Sequence, residues 1–405
     1  MTKSVLAGIA VLLALGAAPA AAQSEEEGSG DDVELSAELG RGATVSVGDA
    51  FSLTLRARIQ FRAALGHFAP SAIDAGAADD WAIEFQIRRA RLQLQGHVYA
   101  PQLRYYIQLG FSPQDMERDL LVPLRDAQII WTPFRELGIR VGQMKVPYGL
   151  QRVVSSSAQQ FVDRSSVTAE LNLDRDIGVV LFSEDFLGLG GALQYQVGVF
   201  GGRGRNRFGS ADSALLAGQL RVNPLGAFDH LSESDHARSM QPRLSIGASA
   251  AYNIGSNRAR STHEQTFEVG RFDFLHLGAD AHFKWAGLSL LSEVMFREAS
   301  QPSASGVVDG EMVTEHSRSG WGWFAQAGYL LEPIPLELAV RYGEIRPLEQ
   351  NAPEAGFFLS RELGGAISYY VQEHALKVQL DYFYYSGDDP RAERHQVRLQ
   401  AQLYF

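Results

Sequence analysis

The sequence predicts an all-β fold, a transmembrane antiparallel β-barrel of about sixteen strands in an up-and-down meander. Three observations carry that expectation. An export signal opens the chain, apolar and polar residues alternate with period two along most of the remainder, and short connections alternate with long ones.

The amino terminus reads as a signal peptide over residues 1–22. Lys3 gives the positive start, Val5 to Leu15 the apolar stretch, and Ala20-Ala21-Ala22 the small-residue cleavage site. The stretch is too short for a membrane anchor, and no charged stop follows it. Residues 23–50 are expected to form an acidic flexible segment, led by the Gly/Ser-rich run from Ser24 to Asp32. The barrel is expected over 51–405.

Alternation and turn signals place strands at 51–65, 82–99, 102–112, 124–132, 137–146, 176–184, 190–201 and 213–223. The second half follows with 243–254, 271–285, 287–298, 320–331, 335–346, 360–373, 375–386 and 394–405. The last of these shows the logic best. Val397, Leu399, Ala401, Leu403 and Phe405 share one face, while Gln396, Arg398, Gln400, Gln402 and Tyr404 share the other. In the first strand Leu53, Leu55, Ala57, Ile59 and Phe61 are assigned to lipid, and Thr54, Arg56, Arg58, Gln60 and Arg62 to the interior. A charge on the lipid face costs about 2–4 kcal/mol near the midplane, so this segregation is a constraint obeyed. One strand changes phase: Ile83, Phe85 and Ile87 are odd, Ala90, Leu92 and Leu94 even. A bulge at Arg88-Arg89 would bring both arginines to the lumen; the alternative is that Arg88 lies near the interface and snorkels.

Short links at Ala100-Pro101, Pro133 to Glu136, Ala286, Glu332 to Ile334 and Glu373-His374 alternate with long ones, the asymmetry of periplasmic turns and extracellular loops. The link from Pro224 to Pro242 is too long for its side. It is either a real exception or hides a strand pair.

Composition removes several classes. The chain has no cysteine, hence no disulfide, thiolate metal site or lipidated amino-terminal cysteine. A formal net charge of −11 disfavours a nucleic-acid binder. Catalytic signatures such as Gly-x-Ser-x-Gly, His-Glu-x-x-His and the phosphate-binding Gly-x-x-x-x-Gly-Lys loop are missing, so no catalytic residue, metal or cofactor is assigned. His230 and His236 in the long link read as turn residues ahead of metal ligands.

Several stretches resemble a known family. Phe85-Gln-Ile-Arg-Arg-Ala-Arg-Leu-Gln-Leu-Gln-Gly96, Asp126-Ala127, Val141-Gly-Gln-Met-Lys-Val-Pro-Tyr-Gly149, Arg175-Asp-Ile-Gly178 and Gly198-Val-Phe-Gly-Gly202 are similar to signature stretches of the phosphate-selective porins O and P. The resemblance implies an outer-membrane barrel of a Gram-negative cell, a homotrimer, and a long third loop folded into the pore. That loop falls at 147–175, where Ser155-Ser156-Ser157 is expected to cap a short helix over Ala158 to Val162. The family passes small anions such as phosphate along luminal arginines and lysines. Only Lys145, Lys284 and Lys377 follow the signal peptide, so a lysine-rich vestibule is ruled out and arginine must carry the role.

The expected function is therefore an outer-membrane porin for passive diffusion of small, phosphate-like anions. Its pore-lining, anion-binding candidates are Arg56, Arg58, Arg62, Arg89, Arg91, Arg140, Lys145 and Arg152. The blander alternative is that such arginines pair with acids and stiffen the interior. Arg203, Arg205 and Arg207 read as solvated, or as contacts to lipopolysaccharide. A plugged barrel serving as a surface structure or adhesin, and a barrel-embedded hydrolase, are the alternatives of other classes.

Overall fold

The computed structural model describes residues 33–66, 81–117, 120–208, 212–389 and 393–405. The expected signal peptide and the acidic run to Asp32 lie outside the described residues. In chain order come β1 (Val33–Glu38), β2 (Gly42–Val47), β3 (Phe51–Gly66), β4 (Ala82–Val98), β5 (Ala100–Gly110), β6 (Leu124–Phe134) and β7 (Leu137–Lys145). A helix, α1 (Ser166–Leu171), precedes β8 (Arg175–Ser183), β9 (Leu193–Phe200), β10 (Ala214–Val222) and β11 (Arg243–Ser256). There follow β12 (Arg258–Arg260), β13 (His263–Thr266), β14 (Phe272–Trp285), β15 (Leu288–Ala299), β16 (Ser303–Val308) and β17 (Glu311–His316). The chain ends with β18 (Gly320–Leu330), β19 (Leu336–Pro347), β20 (Ser360–Gln372), β21 (Leu376–Gly387) and β22 (Arg394–Tyr404).

Sixteen of these form the barrel, each within a few residues of its expected place. Neighbours in the wall pair antiparallel throughout, and β22 closes on β3 with Val397 opposite Leu65 and Leu403 opposite Ile59. The hairpins β12–β13 and β16–β17 stand apart, in the long loops. Alternation sets the faces as expected. Ile59 and Phe61 are 48% and 43% exposed on the outer surface, whereas Arg58 and Gln60 between them are 1% and 0% exposed. The bulge is present: Gln60 faces Arg89 and Phe61 faces Ile87, which leaves Arg88 as the extra residue.

Residues 33–47 depart from the expected flexible segment. β1 and β2 form a hairpin, Val33 opposite Val47, and β2 joins β3 with Val45 opposite Leu53. The pairing of β22 with β3 stops at Arg58, so Phe51–Leu55 would otherwise present unpaired backbone N–H and C=O groups. Ala43, Val45 and Val47 alternate with Thr44 and Ser46, a strand signal that the preceding acidic run outweighed.

The third loop folds into the lumen, but its helix is α1, not Ala158 to Val162. Ser165 caps α1, its hydroxyl accepting from Thr168 N at 3.0 Å. The backbone at 159–162 is committed to the wall instead. Lys377 donates to Gln159 O at 2.7 Å, Gln379 to Gln160 O at 2.8 Å, and Val162 N donates to Asp381 at 3.1 Å. The loop also carries its own apolar seam. Val146, Leu150, Val154, Val167 and Leu171 are buried in one cluster with Leu291, Met295, Phe324 and Ile345 of the wall. Burial of such side chains contributes about 1.5–3 kcal/mol each.

The link at 223–242 is a real exception and contains no strand. It folds upward into the barrel, burying Glu233, Ser234 and Asp235.

Candidate functional site

The third loop and the link fill the lumen beside β14 to β21. What remains open is a cavity of about 1000 Å³, lined mainly by β4 to β10 and reached also by β20, β21 and β22. Its lining holds twelve arginines and one lysine against six carboxylates, so the lumen is basic within an acidic protein. Between low-dielectric walls such an excess focuses a positive potential on the passage.

The sequence candidates divide by what they touch. Arg89, Arg91, Arg140, Lys145 and Arg152 line the cavity, whereas Arg56, Arg58 and Arg62 do not. Arg56 lies at the periplasmic end, donating to Arg41 O at 2.8 Å. Arg58 is wholly buried behind the third loop and donates to Ser156 Oγ at 3.0 Å. Arg62 pairs with Asp163 at 2.7 Å. Arg62 thus pairs with an acid, as the bland reading has it, whereas Arg58 is held by the serine hydroxyls of the loop.

Arg89 reaches Gln60 Oε1 at 2.8 Å and Asp163 at 3.3 Å, and Arg88 meets the same carboxylate at 3.4 Å. Arg91 pairs with Asp115 and donates to Ser156 Oγ at 3.1 Å. Lys145 donates to Val153 O at 2.6 Å, and Arg152 pairs with Asp174. Arg140 stands over the Phe182 ring at 4.7 Å, and among the described residues no carboxylate lies in ion-pair range of it.

The geometry explains the second glycine of the motif at 141–149. Gly149 has φ of +68°, and a Cβ there would strike the Glu293 carboxylate, which accepts Leu150 N at 2.8 Å. The chain therefore turns off β7 into the lumen and is caught at once by the far wall.

Sequence reasoning missed Arg125, Arg164, Arg175, Arg205, Arg221, Arg394 and Arg398, all of which line the cavity. Arg398 and Arg221 sit on inward faces that alternation alone identifies. Arg205 was expected in solvent, but it is 5% exposed and donates to Asp115 O at 2.6 Å. Arg207 joins it on Glu117 at 3.2 Å. Arg164, deep in the third loop, carried no local signal. It donates to Gln151 O at 2.9 Å and Val154 O at 2.7 Å, and burial lowers its guanidinium to about 10, still charged at neutral pH.

Carboxylates in the lumen act as clamps. Burial pushes the Asp163 carboxyl up, but the guanidiniums of Arg62, Arg88, Arg89 and Arg398 outweigh it and hold the group well below the usual carboxylate range. At Asp115 the same contest is won by Arg91 and Arg125. Of the cations so engaged, Arg88, Arg89, Arg91, Arg125 and Arg398 also line the cavity.

A closed wall of sixteen strands, apolar outside, with a charged lumen narrowed by an inward loop, defines a porin-type channel of the outer membrane. The chain belongs to the family of phosphate-selective porin O and P, whose model matches residues 71–405. Its fold is that of the anion-selective porin from Comamonas acidovorans, at 11% identity over 88% of this chain and 100% of that one, TM-score 0.54. The outer-membrane channel DcaP of Acinetobacter baumannii is similar at 11% identity over 88% and 98%, TM-score 0.55. A loop-deletion form of OmpT from Vibrio cholerae aligns at 12% identity over 88% and 100%, TM-score 0.53. No curated protein matches. The protein is thus an outer-membrane barrel of the Gram-negative envelope.

Proposed function

We propose that this channel passes small anions of the phosphate type by passive diffusion, and that it acts as a channel and not as an enzyme. The observation that carries the reading is the sign of the cavity lining, twice as many cations as carboxylates in a protein of net charge −11. Arg140, Lys145, Arg164 and Arg394 line the passage without an ion pair to a carboxylate among the described residues. They offer moderate, successive contacts in place of one tight clamp, which is what rapid conduction needs. Arginine forks also match the oxygens of phosphate.

Residues 1–22 act as the export signal, three copies assemble as a trimer, and the rim meets lipopolysaccharide. Current carried by chloride through single channels, titrated with inorganic phosphate, tests the solute preference. Block at low phosphate concentration supports a phosphate-preferring passage. Chloride current indifferent to phosphate supports a general anion pore.

A second reading has one observation behind it. The third loop and the link together fill much of the lumen, as a plugged surface barrel would require. Well-folded protein that shows no conductance in planar bilayers would favour it.

A further inference from the structure

The link between β10 and β11 brings one carboxylate to the back of the third loop. Glu233 is wholly buried, and its two oxygens accept from three donors: Gln151 Nε2 at 3.1 Å, Gln160 N at 2.9 Å and Gln326 Nε2 at 3.0 Å. Its own N–H donates to Ala158 O at 2.9 Å, and the Ser289 hydroxyl donates to its carbonyl. The third loop is therefore held at 151, 158 and 160 by a single residue rising from the periplasmic side.

Among the described residues no arginine or lysine pairs directly with Glu233. A buried carboxylate carried by neutral donors is expensive, and a neutral side chain would serve ordinary packing more cheaply. Three converging donors exceed what one amide oxygen takes in good geometry, so the second oxygen has a use. What lies on the other side of the clamped segment gives the reason. Arg152, Ser155 and Ser156 sit between the clamped positions and face the open cavity.

We infer that Glu233 is a positioning residue of the channel, which sets the width of the passage by fixing the third loop from behind. The inference rests on the barrel being a channel, and it is independent of which ion the channel prefers. Asp235 supplies the comparison. It lies two residues on in the same link, but accepts from Gly287 N at 2.8 Å in a periplasmic turn and, among the described residues, makes no hydrogen bond to the third loop.

The test compares wild type, Glu233→Ala, Glu233→Gln and Asp235→Ala as full chains in planar bilayers. Single-channel conductance, open-channel noise and thermal stability in detergent are recorded for each. Glu233→Ala is expected to raise conductance about twofold and to increase noise, the mark of a loosened constriction. Glu233→Gln should fall between it and wild type, because it keeps one acceptor. Asp235→Ala should lower thermal stability while conductance stays at the wild-type value. If Glu233→Ala does not fold, Glu233→Gln carries the same reading. Wild-type conductance and noise in the Glu233 variants would overturn the inference, and so would an equal rise in Asp235→Ala. If the wild type proves closed, opening by Glu233→Ala supports the inference and continued closure overturns it. A cation-preferring wild type would sink the proposed anion passage, yet the ratio of variant to wild-type conductance would still decide the role of Glu233.

Discussion

Arg175 grips Asp126 through two parallel hydrogen bonds, Nε to Oδ1 and Nη2 to Oδ2, both at 3.0 Å. The pair reaches across β7, which lies between β6 and β8, and both partners are almost wholly buried. Arg175 also donates to Asp174 at 2.9 Å, where the third loop returns to the wall. One guanidinium therefore stitches the wall and the end of the loop together. Replacing it should be costly. Arg175→Met leaves the Asp126 carboxylate buried without its partner and is expected to cost about 3–5 kcal/mol. Denaturant midpoints of the refolded barrel in detergent would measure this. The double replacement Arg175→Met with Asp126→Leu should recover most of the loss.

Asp163 ties the third loop to Arg62, Arg89 and Arg398 at 2.7, 3.3 and 3.7 Å. Burial alone would raise its pKa, but Arg62 and its neighbours hold the group well below the usual carboxylate range. A depressed carboxylate contributes stability that is complete above its unfolded value of about 3.9 and is lost only as pH falls through the lower, folded value. Third-loop noise in single-channel records should accordingly stay flat from pH 7 to about 4. Asp163→Asn should raise that noise at neutral pH. Wild-type noise that already climbs between pH 7 and about 5 would contradict the clamp.

His236 in the link should respond in a different window. Burial, then the charges of Lys377 and Lys284, lower its pKa to about 4, and its ring meets Tyr370 at 4.6 Å and His374 at 4.7 Å. The docked link thus holds the imidazole neutral. Docking is strongest above the free imidazole value of about 6.5 and weakens as pH falls toward 4. Hydrogen-exchange protection at Ser232 to Asp235 is expected to decline over that window, and His236→Phe should flatten the decline. Constant protection in the wild type would count against it.

Arg140 and Arg56 offer a paired contrast. Arg140 faces the cavity with no ion pair among the described residues, whereas Arg56 lies outside the cavity, tied to Arg41 O at the periplasmic end. A unit charge at about 4 Å in a water-like medium is worth roughly 1 kcal/mol. Arg140→Ala should therefore lower the anion-to-cation permeability ratio several-fold. Arg56→Ala should leave it unchanged. Equal effects would mean that the potential is set by the sum of charge and not by the residues facing the passage.

Strands were legible because period-two alternation is local and severe: every wall segment must put apolar side chains on lipid. The bulge at Arg88 was legible for the same reason, as a break in phase. The interior was less so. Alternation tells that Arg58, Arg62 and Arg89 point inward, but not that the third loop covers the first two and leaves the third open. Arg205 and Arg164 reach the cavity from irregular segments, whose placement depends on partners far away in sequence, Asp115 and Gln151 O among them. The strands at 33–47 were hidden by the acidic run before them. The upward fold of the link was hidden too, since its anchors Glu233, Ser234 and Asp235 look like any polar turn.

The reversal potential of single channels in a salt gradient measures the central claim most directly, because it reads the sign of the field in the lumen. A value displaced toward the anion equilibrium potential, and moved toward zero by Arg140→Ala, is the predicted result. A cation-selective potential that persists after the loop carboxylates Asp309, Glu311, Asp388 and Asp389 are neutralised would contradict it.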